Sequence, residues 1–218
     1  DLKWIAIISM LVDHFAVAIY ANTAYCQFDI YRAMRGIGRI AFPIYCFLLV
    51  EGFYHTHDVK RYISRCFLFA VISEVPFDLA IHGTWFYPEG QNVFFTLLLG
   101  LFVIAGLHLV EQHFAGTTVG KTILRVGLNA VIILTGCVLA LVLKTDYDFK
   151  GILAITVFYL FRNRKKAQMW AGVIIFLLMD SLEMFAALSF ILIWFYNGTR
   201  GRQNKYFFYF FYPAHLLL

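Results

Sequence analysis

The sequence predicts an all-α integral membrane protein, and three observations support this fold class. Of the 218 residues, 61% are hydrophobic and only 14% are charged, and the mean hydropathy is +0.74. This composition leaves too little polar surface for a water-soluble globule. The apolar runs are long and continuous, without the alternation that marks barrel strands. Because an open β-sheet cannot satisfy its backbone groups in lipid, the runs are predicted to be helices.

Nine apolar segments are predicted to cross the bilayer in a single domain covering residues 1–218, the last four being shorter than the ~20 residues a span usually needs. They are Trp4–Ala21, Ile40–Tyr54, Tyr62–Ile81, Val93–Val110, Ile123–Leu143, Tyr147–Phe161, Met169–Met179, Met184–Tyr196 and Phe207–Leu218. Residues 169–196 allow either one long helix interrupted by Asp180 and Glu183 or two short helices joined by them. Basic residues on both flanks favour the hairpin, since both flanks then lie in the cytoplasm.

The placement of basic residues predicts the orientation, because Lys and Arg are enriched in cytoplasmic loops. With the N-terminus inside, 13 of the 18 basic residues fall on the cytoplasmic side and 5 fall outside. We therefore predict a cytoplasmic N-terminus and an external C-terminus. The four cysteines show no paired spacing and no metal-ligand pattern, so neither a disulfide nor a metal site is predicted. Nothing in the sequence suggests binding to nucleic acid.

The pair Asp13-His14 lies midway along the first apolar run. An Asp in the middle of a spanning helix costs roughly 2.5–3.5 kcal/mol, so the pair is either a salt-bridge anchor or an acid/base group held in the bilayer. Other ionisable residues at matching depths favour the second interpretation, with His14 as a general base. Lys3 lies within about 20° of the same helix face and roughly 16 Å nearer the cytoplasm. This arrangement suits a long anionic donor whose reactive end reaches mid-membrane.

Further ionisable side chains fall inside the next two predicted spans. Asp13 points about 100° away from His14, and Arg39, which opens the second span, is its expected counter-ion. Glu51 lies near the inner end of that span, and Glu74 and Asp78 share one face of the third span. These acids either orient His14 and bind an incoming amine or form structural bridges. Beyond them, Asn92 is expected to cap the fourth span, and His215 is expected to be structural.

Five blocks of sequence stand out in combination. They are LVDHFA in the first span, GRIAFPIYCFLLVEGFYHT across the second, FAVISEVPFDLA in the third, QNVFFTLLLG opening the fourth, and the terminal YPAHLLL. Together they resemble the TraX family, which is named for N-terminal acetylation of conjugative F-type pilin. TraX proteins are similar to the membrane acyltransferase-3 superfamily, whose first helix carries Arg or Lys, ten intervening residues and a catalytic His. Lys3 and His14 match that spacing.

The resemblance implies a multi-pass acetyltransferase of the bacterial cytoplasmic (inner) membrane. Its expected donor is acetyl-CoA from the cytoplasm, used as a substrate without a metal. The expected acceptor is an amine or hydroxyl reached from the membrane or the outer face, such as the N-terminus of a pilin or another envelope acceptor.

Site roles are expected as follows. His14 is the base or a transient acyl carrier. Asp13, Glu51 and Glu74 are orienting or proton-accepting groups. The phosphates of acyl-CoA are expected to contact Lys3, Arg61 and Arg65, and the further active-site candidates are Arg39, Asp78 and Asn92.

Two other functional classes remain open from the sequence. A proton-coupled transporter also places Asp, His and Glu inside the membrane, although transporters commonly show paired inverted halves, and no such repeat is visible. A membrane scaffold would use Asp13 and His14 only to hold helices together. Turnover of acetyl-CoA separates the enzyme from both.

Overall fold

A computed structural model describes residues 2–116, 118–179, 182–199 and 205–217. The structure is 78% helical, and within these ranges it contains no strand, only an isolated bridge between Gln91 and Thr145. The α-helices are α1 (Leu2–Ala18), α2 (Phe28–Gly38), α3 (Ala41–His55), α4 (Val59–Phe77), α5 (Val93–His113), α6 (Val119–Val142), α7 (Asp148–Leu160), α8 (Lys165–Leu177), α9 (Ser189–Trp194) and α10 (Lys205–His215). Short 3-10 helices cover Tyr20–Asn22 and Glu183–Leu188, and a π-helical turn covers Asp78–His82.

Within the described residues, four helical stretches are long and apolar enough to cross a bilayer, so the prediction of a helical membrane protein is confirmed. They are Leu2–Asn22, Phe28–His55, Val93–His113 and Val119–Val142. Each of the nine predicted segments overlaps a helix. Crossing of the membrane by all nine, and the cytoplasmic N-terminus, stay predictions.

Helix α2 was not anticipated from the sequence. It is amphipathic, with Asp29, Arg32 and Arg35 among its 11 residues, so its mean hydropathy falls below that of a span. The second predicted span began at Ile40, whereas the helical stretch begins at Phe28 and turns near Arg39. The turn brings the last residues of α2 beside α1, where Gly38 packs against the side chain of Asp13.

The segment 169–196 forms a helical hairpin, as its basic flanks predicted. The Lys165 ammonium at the start of α8 lies 5.2 Å from the centre of the Trp194 ring at the end of α9. Further along α8, the Phe176 ring lies 5.9 Å from the ring of Phe190. These contacts make α8 and α9 antiparallel. Asp180, one of the residues expected at the joint, lies outside the described residues.

The core forms around α3, which packs against α1, α5 and α7. The fully buried large side chains of this core come from α3, α5 and α7 and include Ile44, Leu101, Ile104, Ile155 and Phe158. Gly100 lets α5 approach α7 closely, because a Cβ atom there would collide with Ile155. In contrast, Gly136 and Ala140 are the buried residues of α6. Ile132, Ile133 and Cys137 pack partly against the core, and most of the other apolar side chains of α6 are exposed. Helix α6 therefore presents the broadest surface for lipid.

Helix α10 runs parallel to α1, and this gives a testable topology. The ring of Trp4 lies 5.4 Å from that of Phe207, and His14 lies 4.9 Å from His215. With a cytoplasmic N-terminus, a reporter fused after residue 218 should be extracytoplasmic, and one inserted within residues 162–166 should be cytoplasmic. Labelling of single cysteines introduced at the same two positions, with a membrane-impermeant reagent, provides a second measurement. A cytoplasmic reporter after residue 218 would contradict the predicted orientation.

Candidate functional site

A cavity of about 130 Å³ lies where α1, the α2–α3 turn, α10 and the connection between α6 and α7 meet. We call it the His14 cavity. Its ionisable lining residues are Asp13, His14, Arg35, Arg39 and Asp146. Its aromatic lining residues are Phe42, Tyr45, Phe77, Tyr147 and Tyr212. A cavity that combines several charged groups with aromatic and aliphatic side chains is the kind of site that can bind and orient a ligand.

His14 is hydrogen-bonded to a second histidine. Its Nδ1 lies 2.6 Å from Nε2 of His215, and the two rings stack at 4.9 Å with an interplanar angle of 12°. Nδ1 of His215 lies 2.8 Å from the carbonyl oxygen of Phe211. A carbonyl only accepts, so His215 carries its proton on Nδ1 and, when neutral, accepts at Nε2. His14 then donates from Nδ1 and keeps the lone pair of a general base on its own Nε2.

Sequence reasoning assigned His215 a structural role and did not connect it to His14. The two residues are 201 positions apart, and the packing of α10 beside α1 brings them into contact. The same helix places the ring of Tyr212 6.0 Å from His14. One signal was available. His215 is an ionisable residue in an apolar segment, which is the property that singled out His14.

Asp13 forms its ion pair with Arg35, whose Nη1 lies 2.7 Å from Oδ2 of Asp13. Both side chains are mostly buried. Arg39, the counter-ion expected from the sequence, lines the same cavity and donates from Nη1 to the Tyr147 hydroxyl at 3.2 Å. Arg39 therefore lies near Asp13, whereas the ion pair at 2.7 Å is made by Arg35, one turn earlier on helix α2, a residue that was not assigned to Asp13 from the sequence.

The close approach of α2 to α1 depends on Gly38, and this gives a stability prediction. Gly38→Ala should destabilise the protein by about 1–3 kcal/mol, because the new Cβ atom would overlap the Asp13 side chain. Gly127→Ala is a matched control within α6, since nothing lies within 4 Å of a Cβ atom there. Thermal unfolding in detergent measures both. An unchanged melting temperature for Gly38→Ala would contradict the packing described.

Asp146 and Tyr147 were missed because they lie in a short connection far along the chain from His14. The connection is tied to the segment before α5 by two backbone hydrogen bonds, from Gln91 N–H to Lys144 (2.9 Å) and from Asp146 N–H to Gln91 (3.0 Å). The Tyr147 ring stacks on Phe42 with centres 3.4 Å apart. These contacts fix the part of the cavity wall that Asp146 and Tyr147 form.

Asn92 caps α5, as predicted, by accepting from Phe94 N–H at 3.0 Å. Its own N–H donates to Glu74 at 3.1 Å, and its side-chain amide donates to Glu74 and to the Ala70 carbonyl. Asp78 accepts from Tyr87 N–H at 2.8 Å. Glu74 and Asp78 therefore hold the segment 87–92 that supports the cavity wall, and neither is a lining residue.

Glu51 lies away from the His14 cavity, which corrects the expectation that it orients His14. It is ten residues beyond Ala41 on α3, which corresponds to about 15 Å of helical rise. It forms an ion pair with Arg162 at 2.8 Å and lies 3.6 Å from His55. Glu51 therefore lines a different part of the bundle from His14.

The three basic residues proposed for the donor lie outside the His14 cavity. Lys3 belongs to the first turn of α1, and Arg61 is exposed and pairs with Asp58 at 3.0 Å. Arg65 is one turn further along α4. Among the described residues, no group of three or more His, Cys, Asp or Glu side chains is placed to bind a metal.

Comparisons with known proteins give the family. The TraX protein family matches residues 1–218. The chain is similar to the probable fimbrial assembly protein FimC, serogroup H1, of Dichelobacter nodosus, with 29% identity over all of this chain and 92% of that protein. No solved structure matches the chain. Because the family match extends over every residue, the chain belongs to the TraX family.

Proposed function

We propose that this protein is a membrane acetyltransferase that moves an acetyl group from acetyl-CoA to an amine or hydroxyl acceptor, with His14 as general base. The observation that carries the proposal is the chain of hydrogen bonds from His14 through His215 to the Phe211 carbonyl. Such a chain orients an imidazole and selects its tautomer, as the third group of a catalytic triad does.

The surroundings of His14 support the same role. His14 is half-buried and lines a cavity, so a reacting group can reach it while most bulk water is excluded. The ion pair between Asp13 and Arg35 lies next to it and neutralises both charges. The cavity therefore places the imidazole of His14 beside a carboxylate and a guanidinium that are already paired with each other.

In the proposed reaction, the acceptor nitrogen or oxygen attacks the thioester carbonyl carbon while Nε2 of His14 takes the proton of the attacking group. A carbon–nitrogen or carbon–oxygen bond forms and the carbon–sulfur bond breaks. The imidazolium of His14 then returns its proton to the leaving thiolate, so the products are the acetylated acceptor and free CoA. The hydrogen bond to His215 stabilises the positive charge that His14 carries between these steps.

We propose that the donor enters from the cytoplasm and the acceptor from the membrane or the outer face of the bacterial inner membrane. Lys3 lies eleven residues before His14 on α1, roughly 16 Å away along the helix, and Arg61 and Arg65 are the other proposed phosphate contacts. The name of the Dichelobacter relative refers to fimbrial assembly. It supports a pilus-related acceptor, with the pilin N-terminus as the first to test.

The proposal is tested by incubating the purified protein in lipid nanodiscs with acetyl-CoA labelled in the acetyl group. The reaction is run with and without a bacterial membrane extract, and released CoA and labelled product are measured. We expect label to enter a membrane-associated or peptide acceptor. A folded preparation that neither hydrolyses acetyl-CoA nor transfers label would contradict the proposal and favour a transporter or a scaffold.

A further inference from the structure

A second cavity, of about 260 Å³, lies at the other end of α3 from His14. We call it the Arg162 cavity. Its polar lining residues are Glu51, Arg162, Lys165, Gln168 and Tyr196. The remaining lining residues are Phe47, Met169, Ile193 and Gly198. The cavity is built by α3, the start of α8 and the end of α9, and it shares no lining residue with the His14 cavity.

Positive charge exceeds negative charge among the lining residues. Arg162 donates from Nε to Glu51 at 2.8 Å, and its guanidinium carbon lies 4.2 Å from the centre of the Tyr54 ring. The Lys165 ammonium contacts the Trp194 ring and, among the described residues, forms no ion pair. One carboxylate thus faces two cations, and the cavity attracts an anion.

The chemistry of the cations points to a phosphate group. A guanidinium presents several N–H donors in a planar fork that matches carboxylate and phosphate oxygens, and a lysine ammonium adds a compact charge beside it. Glu51 already places a carboxylate oxygen on Arg162, in the position a phosphate oxygen would take. Gln168 is buried and donates to the Phe158 carbonyl at 2.7 Å, which anchors α8 beneath the cavity.

We propose that the Arg162 cavity binds a phosphate group, that Arg162 and Lys165 contact it, and that Glu51 competes with it for Arg162. The phosphate belongs either to a soluble phosphoanhydride or to a lipid headgroup. If it belongs to acyl-CoA, the inference rests on the proposed function. The Arg162 cavity would then add a phosphate contact to those proposed for Lys3, Arg61 and Arg65, of which Arg61 is already paired with Asp58.

The test measures binding without turnover. The protein is placed in phosphatidylcholine nanodiscs and titrated calorimetrically with inorganic pyrophosphate and with CoA that carries no acyl group. Lys165→Gln should weaken both affinities about tenfold, the loss expected for one charge-assisted hydrogen bond. Glu51→Gln should tighten both several-fold, since it removes the competing carboxylate. Lys166→Gln, which makes the same charge change one residue away outside the cavity lining, should alter them little.

The lipid source is tested in nanodiscs that contain phosphatidylglycerol, with bound lipid counted by native mass spectrometry. Retention of phosphatidylglycerol that falls with Lys165→Gln and rises with Glu51→Gln, without binding of the soluble probes, would assign the site to a headgroup. Equal losses for Lys165→Gln and Lys166→Gln, or no binding of any probe, would overturn the proposal. Because no step requires acetyl transfer, pyrophosphate binding in a protein without transferase activity would contradict the proposed function alone.

Discussion

Replacing His14 by Ala should lower the rate of acetyl transfer about 100- to 10,000-fold, the usual contribution of a general base. The protein should remain folded, because a neutral imidazole is removed and no buried charge loses its partner. Steady-state release of CoA at saturating acetyl-CoA measures the change, and gel filtration with a melting curve checks the fold. Wild-type turnover in His14→Ala would show that the catalytic assignment is wrong.

His215→Phe is the matched variant for the role of the second histidine. The phenyl ring can keep the stacking with Phe211, whose ring centre lies 4.8 Å from His215, but it cannot accept the hydrogen bond from His14. A smaller loss of kcat, with the KM for acetyl-CoA unchanged, is expected from a positioning residue. A change confined to the melting temperature would instead assign His215 a structural role.

Asp13→Ala should cost about 3–5 kcal/mol of stability, the range for removing one partner of a buried ion pair. It leaves the Arg35 guanidinium mostly buried without the carboxylate that it contacts at 2.7 Å. Thermal unfolding in detergent should show a clear fall in the melting temperature, accompanied by loss of activity because α2 and α1 separate beside His14.

Two further variants sharpen this result. The double variant Asp13→Leu, Arg35→Met should recover most of the stability, since an apolar pair replaces the ionic pair without stranding a charge. Asp29→Ala, on the exposed first turn of α2, removes a carboxylate of the same helix and should change the melting temperature little. Equal melting temperatures for wild type and Asp13→Ala would contradict a stabilising pair.

The fold class and most helix positions followed from the sequence because lipid imposes one rule, a long apolar run, on every spanning segment. Helix α2 could not be predicted by that rule, because its charged face makes it amphipathic instead of continuously apolar. Its packing against α1 depends on Gly38, which the apolar pattern does not reveal. The hairpin of α8 and α9 was predictable because basic residues on both flanks must share a side of the membrane.

The candidate site was predictable only in part. Asp13 and His14 were found because an ionisable pair inside an apolar run is costly and needs a reason. Asp146, Tyr147 and His215 could not be connected to that pair, since only tertiary packing brings the three segments together. Glu51 was expected beside His14 but lies elsewhere, because a sequence pattern does not say which neighbours surround each end of a helix.

The hydrogen bond between the first and last described helices has a consequence for biogenesis. During synthesis α1 enters the membrane long before α10 exists, and His14 lacks the partner that selects its tautomer until residue 215 has been made. Because the contact joins residues 201 positions apart, we expect it to form after the local helix pairs. An insertion intermediate that lacks α10 would therefore hold His14 without its hydrogen-bond partner, so we expect the imidazole to be oriented only when the whole bundle has assembled.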